Sequence, residues 1–194
     1  MINIIHNSKR VDRRKLLQIE FEKLKIKDEE VKLWDAVTDL GSTTNNINAA
    51  HKMIVQDAKD RGMAEVTIAE DDFFFPSQDG LEFFLKNKPI SFDVYLSGIY
   101  VGFEPLNDNN NKVGFFSGLH FYIVHSKFYD NFLSLNPNNA IDGEIGQMAL
   151  KGLADVYCCY PMAAIQQETP SDNNNGIVFS HRRFHRTKVL GLIL

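Results

Sequence analysis

The chain has 194 residues, 44% of them hydrophobic and 24% charged, with two cysteines and a formal net charge of −4. That length supports one compact domain with a sizeable core, and the composition excludes a disordered chain. An acidic balance also speaks against broad nucleic-acid binding, which needs a basic surface.

In chain order, Ile2 to Ile5 reads as a first strand, and the N-terminus turns polar too soon for a secretory signal. The basic stretch Lys9-Arg10-Val11-Asp12-Arg13-Arg14 follows, then a helix that Asp12 can cap, with Leu17, Phe21 and Leu24 as its buried stripe. Val31 to Val37, carrying the only tryptophan, Trp34, is a second strand. After a polar loop at 41–46, a helix places Ile47, Ala50, Ile54 and Ala58 on one face and stops at Gly62. Val66-Thr67-Ile68-Ala69 is the third strand and closes in the acids Glu70-Asp71-Asp72. Pro76-Ser77 opens another helix, with Leu81, Phe84 and Leu85 turned inward. Phe92 to Phe103 is rich in strand formers but broken at Gly98, and Asn107 to Asn111 reads as a surface turn.

Leu119 to Val124 is again a strand, Ser126 can cap the next helix, and the loop Asn136-Pro137-Asn138-Asn139 leads to a helix from about Asp142 to Gly152. Val156 to Tyr160 is the last strand. It holds Cys158 and Cys159, whose adjacency offers neither a disulfide framework nor zinc spacing and predicts a reduced, buried pair in a cytosolic protein. No apolar run reaches the roughly 20 residues of a spanning helix.

Strands alternate with helices through the first half, which predicts an α/β fold: a single domain with a mostly parallel central sheet flanked by helices. Such sheets bind ligands beyond the carboxyl ends of their strands, which is where the acidic triplet falls. In an extended chain Glu70 and Asp72 point to one side and Asp71 to the other. Two carboxylates on one side suit Mg²⁺ or Mn²⁺. Acidic triplets also cap helices or solvate turns. Adjacent acids repel one another, however, and no lysine or arginine lies between Gly62 and Leu85 to neutralise them locally.

The basic stretch at Lys9 to Arg14 opens a helix at the same sheet edge, where guanidinium groups and helix N-termini favour phosphate, although a solvated helix end gives the same pattern. His51 sits beside an apolar helix stripe, either as a hydrogen-bonded buried histidine or as a ligand-facing group. Asp142 and Glu144 open a helix, where the dipole favours acids, and either can serve as a general base toward an acceptor hydroxyl. Arg182, Arg183, Arg186 and Lys188 precede the apolar end 189–194. This tail, taken as residues 181–194 after a domain of residues 1–180, is suited either to hold an anionic membrane surface or to pack on the fold.

The order of these motifs resembles the family 25 glycosyltransferases, which include bacterial lipooligosaccharide and collagen galactosyltransferases. The basic turn ending in Asp-Arg is similar to Lys9-Arg10-Val11-Asp12-Arg13, the Ala-Val strand end to Trp34-Asp35-Ala36-Val37, and the Ser-His helix pair to Ala50-His51. The strand closing in Glu-Asp-Asp resembles Ile68-Ala69-Glu70-Asp71-Asp72, and the Trp-Asp strand resembles Phe92-Asp93-Val94-Tyr95-Leu96. Tyr122 and Ser126 stand near the places of the Gly-x-x-x-Tyr-x-x-Ser pattern. Ile141-Asp142 is similar to the Pro/Val-Asp element, and Pro161, Gln166 and Ser171-Asp172 to the closing signature. The likeness spans about residues 2–173. His6 replaces the family's asparagine, and Ile47-Asn48-Ala49-Ala50-His51 keeps only the histidine of Cys-x-x-Ser-His.

The resemblance implies a GT-A-like nucleotide-sugar-binding fold and an inverting hexosyltransferase. It implies a nucleoside-diphosphate sugar donor, first of all a UDP-sugar carrying a galactose-like hexose, and a saccharide or lipid-linked saccharide acceptor in surface polysaccharide or lipooligosaccharide synthesis. Asp72 and Glu70 would hold Mn²⁺ or Mg²⁺, and Arg13, His51, Glu70, Asp71 and Gln166 would bind the donor. Asp142 is the first choice for the base, then Asp172, then Glu144. The expected location is the cytoplasm, with peripheral membrane contact through the tail. An inactive sugar-nucleotide-binding module and a metal-dependent phosphoesterase are the rival readings.

Overall fold

The computed structural model describes residues 1–102, 110–170 and Leu190. Its centre is a seven-stranded sheet built from β1 (Ile2–His6), β2 (Val31–Asp35), β3 (Glu65–Glu70), β5 (Val94–Leu96), β7 (Asn110–Lys112), β9 (Phe121–His125) and β10 (Val156–Cys159), in the order β2-β1-β3-β9-β5-β10-β7. Two short ribbons lie outside it. One pairs β4 (Phe73–Phe74) with β11 (Ile165–Gln166), and the other pairs β6 (Val101–Gly102) with β8 (Phe116–Ser117). The helices are α1 (Val11–Leu24), α2 (Thr43–Asp60), α3 (Gly80–Lys86), α4 (Tyr129–Ser134) and α5 (Ile141–Leu150).

The sheet is mixed around a parallel core. β2, β1, β3, β5 and β10 run one way, while β9, set between β3 and β5, and β7 at the edge run the other. Alternation along each strand feeds two cores. Val66, Ile68, Tyr122 and Val124 pack with Ile54, Val55 and Ala58 of α2 and with α4 and α5. Ala69, Phe121 and Ile123 pack on the opposite face with Leu17 and Phe21 of α1 and Phe84 of α3. Helices therefore cover both faces, as the alternating pattern predicts.

Several local expectations change. Asp12 does not cap α1; Arg10 occupies the N-cap, and Asp12, in the first turn, is instead bound by the Arg10 guanidinium. Ser42 caps α2 by accepting the Asn45 N–H at 3.1 Å. Leu85 is 48% exposed, because α3 is too short to bury more than a narrow stripe around Phe84. Asn110 and Asn111 are not turn residues; they form edge strand β7, paired with Cys158 and Cys159. Ser126 opens a 3₁₀ turn capped by His125 rather than capping a helix itself. At Gly98 an added Cβ would lie 2.1 Å from the Ala164 carbonyl oxygen, so only glycine lets the chain after β5 pass that close to the segment leading into β11. Neither cysteine is in a disulfide, and both are buried. Among the described residues no helix is long and apolar enough to cross a membrane.

Candidate functional site

A cleft of about 470 Å³ opens at the carboxyl ends of β1, β2 and β3. It brings together Arg13 from α1, His51 from α2, the triplet Glu70-Asp71-Asp72, Gln166 from β11 and Asp142 from α5. Among the acids weighed from sequence, Glu144 does not line it; the Asn139 side-chain amide donates to Glu144 at 2.7 Å. Asp172 lies outside the described residues, as does the tail apart from Leu190, whose N–H donates to the Met162 carbonyl at 2.8 Å.

The triplet is not an extended strand throughout, and this corrects the alternation expected of it. β3 ends at Glu70, and Asp71-Asp72 form a turn before β4. A turn abolishes the period of two, so Asp71 and Asp72 meet the same cation: Arg13 Nη1 lies 2.6 Å from Asp71 Oδ1 and 3.1 Å from Asp72 Oδ2. The missing local counter-charge is supplied from 58 residues away. Asp71 is buried and fully engaged. Its Oδ2 also stands 2.8 Å from His6 Nδ1 and accepts the Asn7 N–H at 3.4 Å. His6, the departure from the family pattern, is thus part of the frame that holds the acids.

Asp72 is held on one oxygen only. Gln166 Nε2 donates to Oδ2 at 2.6 Å, the Tyr100 hydroxyl donates to the other end of Gln166, and Oδ1 is buried without a partner. Burial, reinforced by the neighbouring charges of Glu70 and Asp71 and only partly offset by Arg13 and Gln166, pushes Asp72 up to about 7. Glu70 goes the other way. Partial burial works against its charge, but His51, with further help from His120 and Arg13, holds it below the usual carboxylate range.

His51 is buried, with Nδ1 2.6 Å from the Tyr122 hydroxyl and Nε2 3.4 Å from Glu70 Oε1. The ring thus meets the tyrosine hydroxyl at Nδ1 and faces Glu70 through Nε2, so the histidine is both a satisfied core residue and a cleft residue. Asp142 sits across the cleft. Its Oδ2 accepts the Gly118 N–H at 2.9 Å and its Oδ1 the Gly143 N–H at 2.8 Å. Gly118 has φ +105°, a left-handed conformation that places its N–H toward the carboxylate and that a side chain would strain.

Sequence reasoning missed three residues here. Asn48, three positions before His51 and so on the same face of α2, donates to the Pro137 and Asn139 carbonyls at 2.7 and 2.8 Å and ties α2 to the loop before α5. Tyr100 braces Gln166. His120, buried beside Glu70, is pushed down by burial and donates from Nε2 to the Ala164 carbonyl at 3.1 Å. The spacing of Asn48 and His51 is the one signal available beforehand; the other two depend on long-range packing.

The donor set can be tested against a divalent cation. Among the described residues no three ligating side chains gather into an all-protein cage. Mg²⁺-type ions commonly take one or two carboxylates and complete their shell with substrate phosphates and water. A buried, unpartnered carboxylate oxygen on Asp72 beside a partly exposed Glu70 fits that pattern.

A comparison with protein-family models gives no match, and neither does one with curated proteins. The fold does resemble solved structures. The chain matches over its whole length a mutant Drosophila β1,4-galactosyltransferase 7, in a complex with manganese, UDP-Gal and xylobiose, at 13% identity and a TM-score of 0.51, covering 76% of that chain. The catalytic domain of the same Drosophila enzyme with xylobiose gives 12% identity and 0.47 over 100% of this chain and 75% of that one. A glycosyltransferase involved in glycosylation of the PBCV-1 major capsid gives 12% and 0.38, over 68% of this chain and 62% of that one. At such identity the likeness is one of fold, which is GT-A-like.

Proposed function

We propose that the chain is a metal-dependent, inverting glycosyltransferase of the family 25 type, moving a galactose-like hexose from a nucleoside-diphosphate sugar, first of all a UDP-sugar, to a saccharide acceptor. The observation that carries this reading is the pairing, across one cleft, of a cation-seeking carboxylate at Asp72 with a backbone-oriented carboxylate at Asp142. The GT-A-like fold agrees with it, and the galactosyltransferase that it resembles is in a complex with manganese and UDP-Gal.

In this reading Asp72 and Glu70 hold Mn²⁺ or Mg²⁺. When bound, such an ion supplies Lewis-acid stabilisation of the charge that grows on the departing nucleoside diphosphate. Arg13 adds a guanidinium beside the same phosphates. Gln166, braced by Tyr100, holds Asp72 in one rotamer, and His51 does the same for Glu70. Asp142 takes the proton of the acceptor hydroxyl as that oxygen attacks the anomeric carbon from the side opposite the leaving phosphate. Two backbone N–H groups fix its direction while leaving each oxygen a free lone pair. The acceptor is a saccharide, free or lipid-linked, of a surface polysaccharide or lipooligosaccharide, worked on at the cytoplasmic side. Glu144 and Asp172 are the reserve candidates for the base.

The test is a panel of nucleotide sugars with Mn²⁺, read by donor hydrolysis, transfer and thermal stabilisation. Stabilisation by one donor only when the ion is present, followed by transfer, is the expected result. Stabilisation without turnover on any acceptor would favour an inactive binding module. Phosphate release from simple esters without an acceptor would favour a phosphoesterase.

A further inference from the structure

We propose that Arg13 is a placeholder for the divalent cation: its guanidinium sits on Asp72 until a diphosphate draws it away, so the ion enters with the nucleotide rather than alone. The inference rests on the metal-and-diphosphate reading of the cleft and gives that site an order of filling.

The Arg13 and Asp72 side chains are 9% and 4% exposed, so this ion pair lies in a low-dielectric interior, where attraction and repulsion are both strong. One nitrogen, Nη1, bridges the acids, with the shorter contact to Asp71 (2.6 Å) and the longer to Asp72 (3.1 Å). Nη2 donates to the Pro170 carbonyl at 3.1 Å. Asp71 is further fixed by His6 and the Asn7 N–H. Arg13 is therefore anchored by Asp71 and Pro170 and only leans on Asp72. The Asp72 contact is the one that can open without releasing the side chain.

A divalent ion on Asp72 would compete with that guanidinium for the same carboxylate and would be repelled by its charge. Alone, the ion must bind against Arg13. A diphosphate changes the balance, because its oxygens would accept the guanidinium N–H groups in place of Asp72 and would also ligate the ion. Arg13 then turns from Asp72 to phosphate while keeping Asp71, and Asp72 is given over to the ion. By linkage, ion and nucleotide tighten each other's binding, and part of that coupling passes through Arg13.

The experiment measures Mn²⁺ binding to the full chain at pH 8 by electron paramagnetic resonance of the free ion, with and without UDP. Arg13→Gln is expected to bind Mn²⁺ alone about tenfold more tightly than wild type, and to show a smaller tightening on adding UDP. Arg13→Lys, whose single ammonium can bridge the acids as Nη1 does, should stay within about twofold of wild type. If wild type takes up Mn²⁺ with UDP but Arg13→Gln binds Mn²⁺ alone no more tightly, the placeholder role is wrong and the metal reading stands. If wild type takes up no Mn²⁺ even with UDP, the metal reading fails and the inference falls with it. Should Arg13→Gln not fold, arginine side-chain NMR on wild type decides. Mg²⁺ with UDP should shift the Arg13 Nε–H signal and Mg²⁺ alone should not, whereas an Arg13 signal unmoved by saturating Mg²⁺ and UDP overturns the proposal.

Discussion

Two carboxylates face the same cleft and are held in opposite ways. Asp72 is buried with one oxygen unpartnered and is pushed up to about 7. Asp142 is half-buried, and each of its oxygens accepts a backbone N–H. The first is poorly satisfied by the protein alone and suits a group that arrives with a cation. The second is aimed by its neighbours and suits a group that must keep one direction while a proton moves. Stability is given up at one wall of the cleft and not at the other, a common division at functional sites.

Substitution at Asp72 should have the greatest consequence. Asp72→Asn should abolish Mn²⁺-dependent transfer while raising the stability of the metal-free fold at pH 8 by about 2–4 kcal/mol, since the ionised carboxylate no longer has to be buried. The sign follows from the direction of the shift. A carboxyl raised from 3.8 to about 7 on folding contributes stability below its unfolded value, and that contribution is lost as pH rises toward about 7. Melting temperature of the metal-free wild type should therefore fall between about pH 4 and 7 relative to Asp72→Asn. Parallel curves for the two proteins would show that Asp72 is not under this stress.

Asp142→Asn should lower kcat about 10²–10⁴-fold and leave donor binding within about twofold. Equal losses in both would mean that Asp142 only shapes the wall. A smaller effect separates the walls through their supports. Asn48→Ala removes two hydrogen bonds to the loop before α5, should cost about 1–3 kcal/mol in urea unfolding, and should lower turnover more than Mn²⁺-dependent UDP binding. Tyr122→Phe takes the hydroxyl from His51 Nδ1 and should cost about 1–2 kcal/mol, again measured by urea unfolding. It acts on the Asp72 wall through Glu70, so its effect on UDP binding should exceed that of Asn48→Ala.

The alternation of strands and helices and the carboxyl-end position of the triplet could be read directly, because both follow from local periodicity and from how parallel sheets are covered. The antiparallel insertion of Phe121–His125 between Glu65–Glu70 and Val94–Leu96 could not, since strand order depends on long-range pairing. The triplet shows the same division. Three adjacent acids announce a carboxylate cluster, but a turn at Asp71-Asp72 replaces the extended chain that local periodicity predicts. The cation that balances it, Arg13, lies one strand and one helix turn from the N-terminus and touches the acids only after folding. His6 looked like a departure from a pattern and is a structural partner of Asp71. Asn110 and Asn111 looked like a turn because asparagine favours turns, and pairing with Cys158 and Cys159 overrides that preference.

Whether Asp72 holds a cation that binds the nucleotide is decided by calorimetric titration of UDP into wild type and Asp72→Asn, each with Mn²⁺ and with EDTA. Wild type should bind UDP at least tenfold more tightly with Mn²⁺ than with EDTA, and Asp72→Asn should show no such difference. An equal Mn²⁺ dependence in both proteins would contradict that role for Asp72.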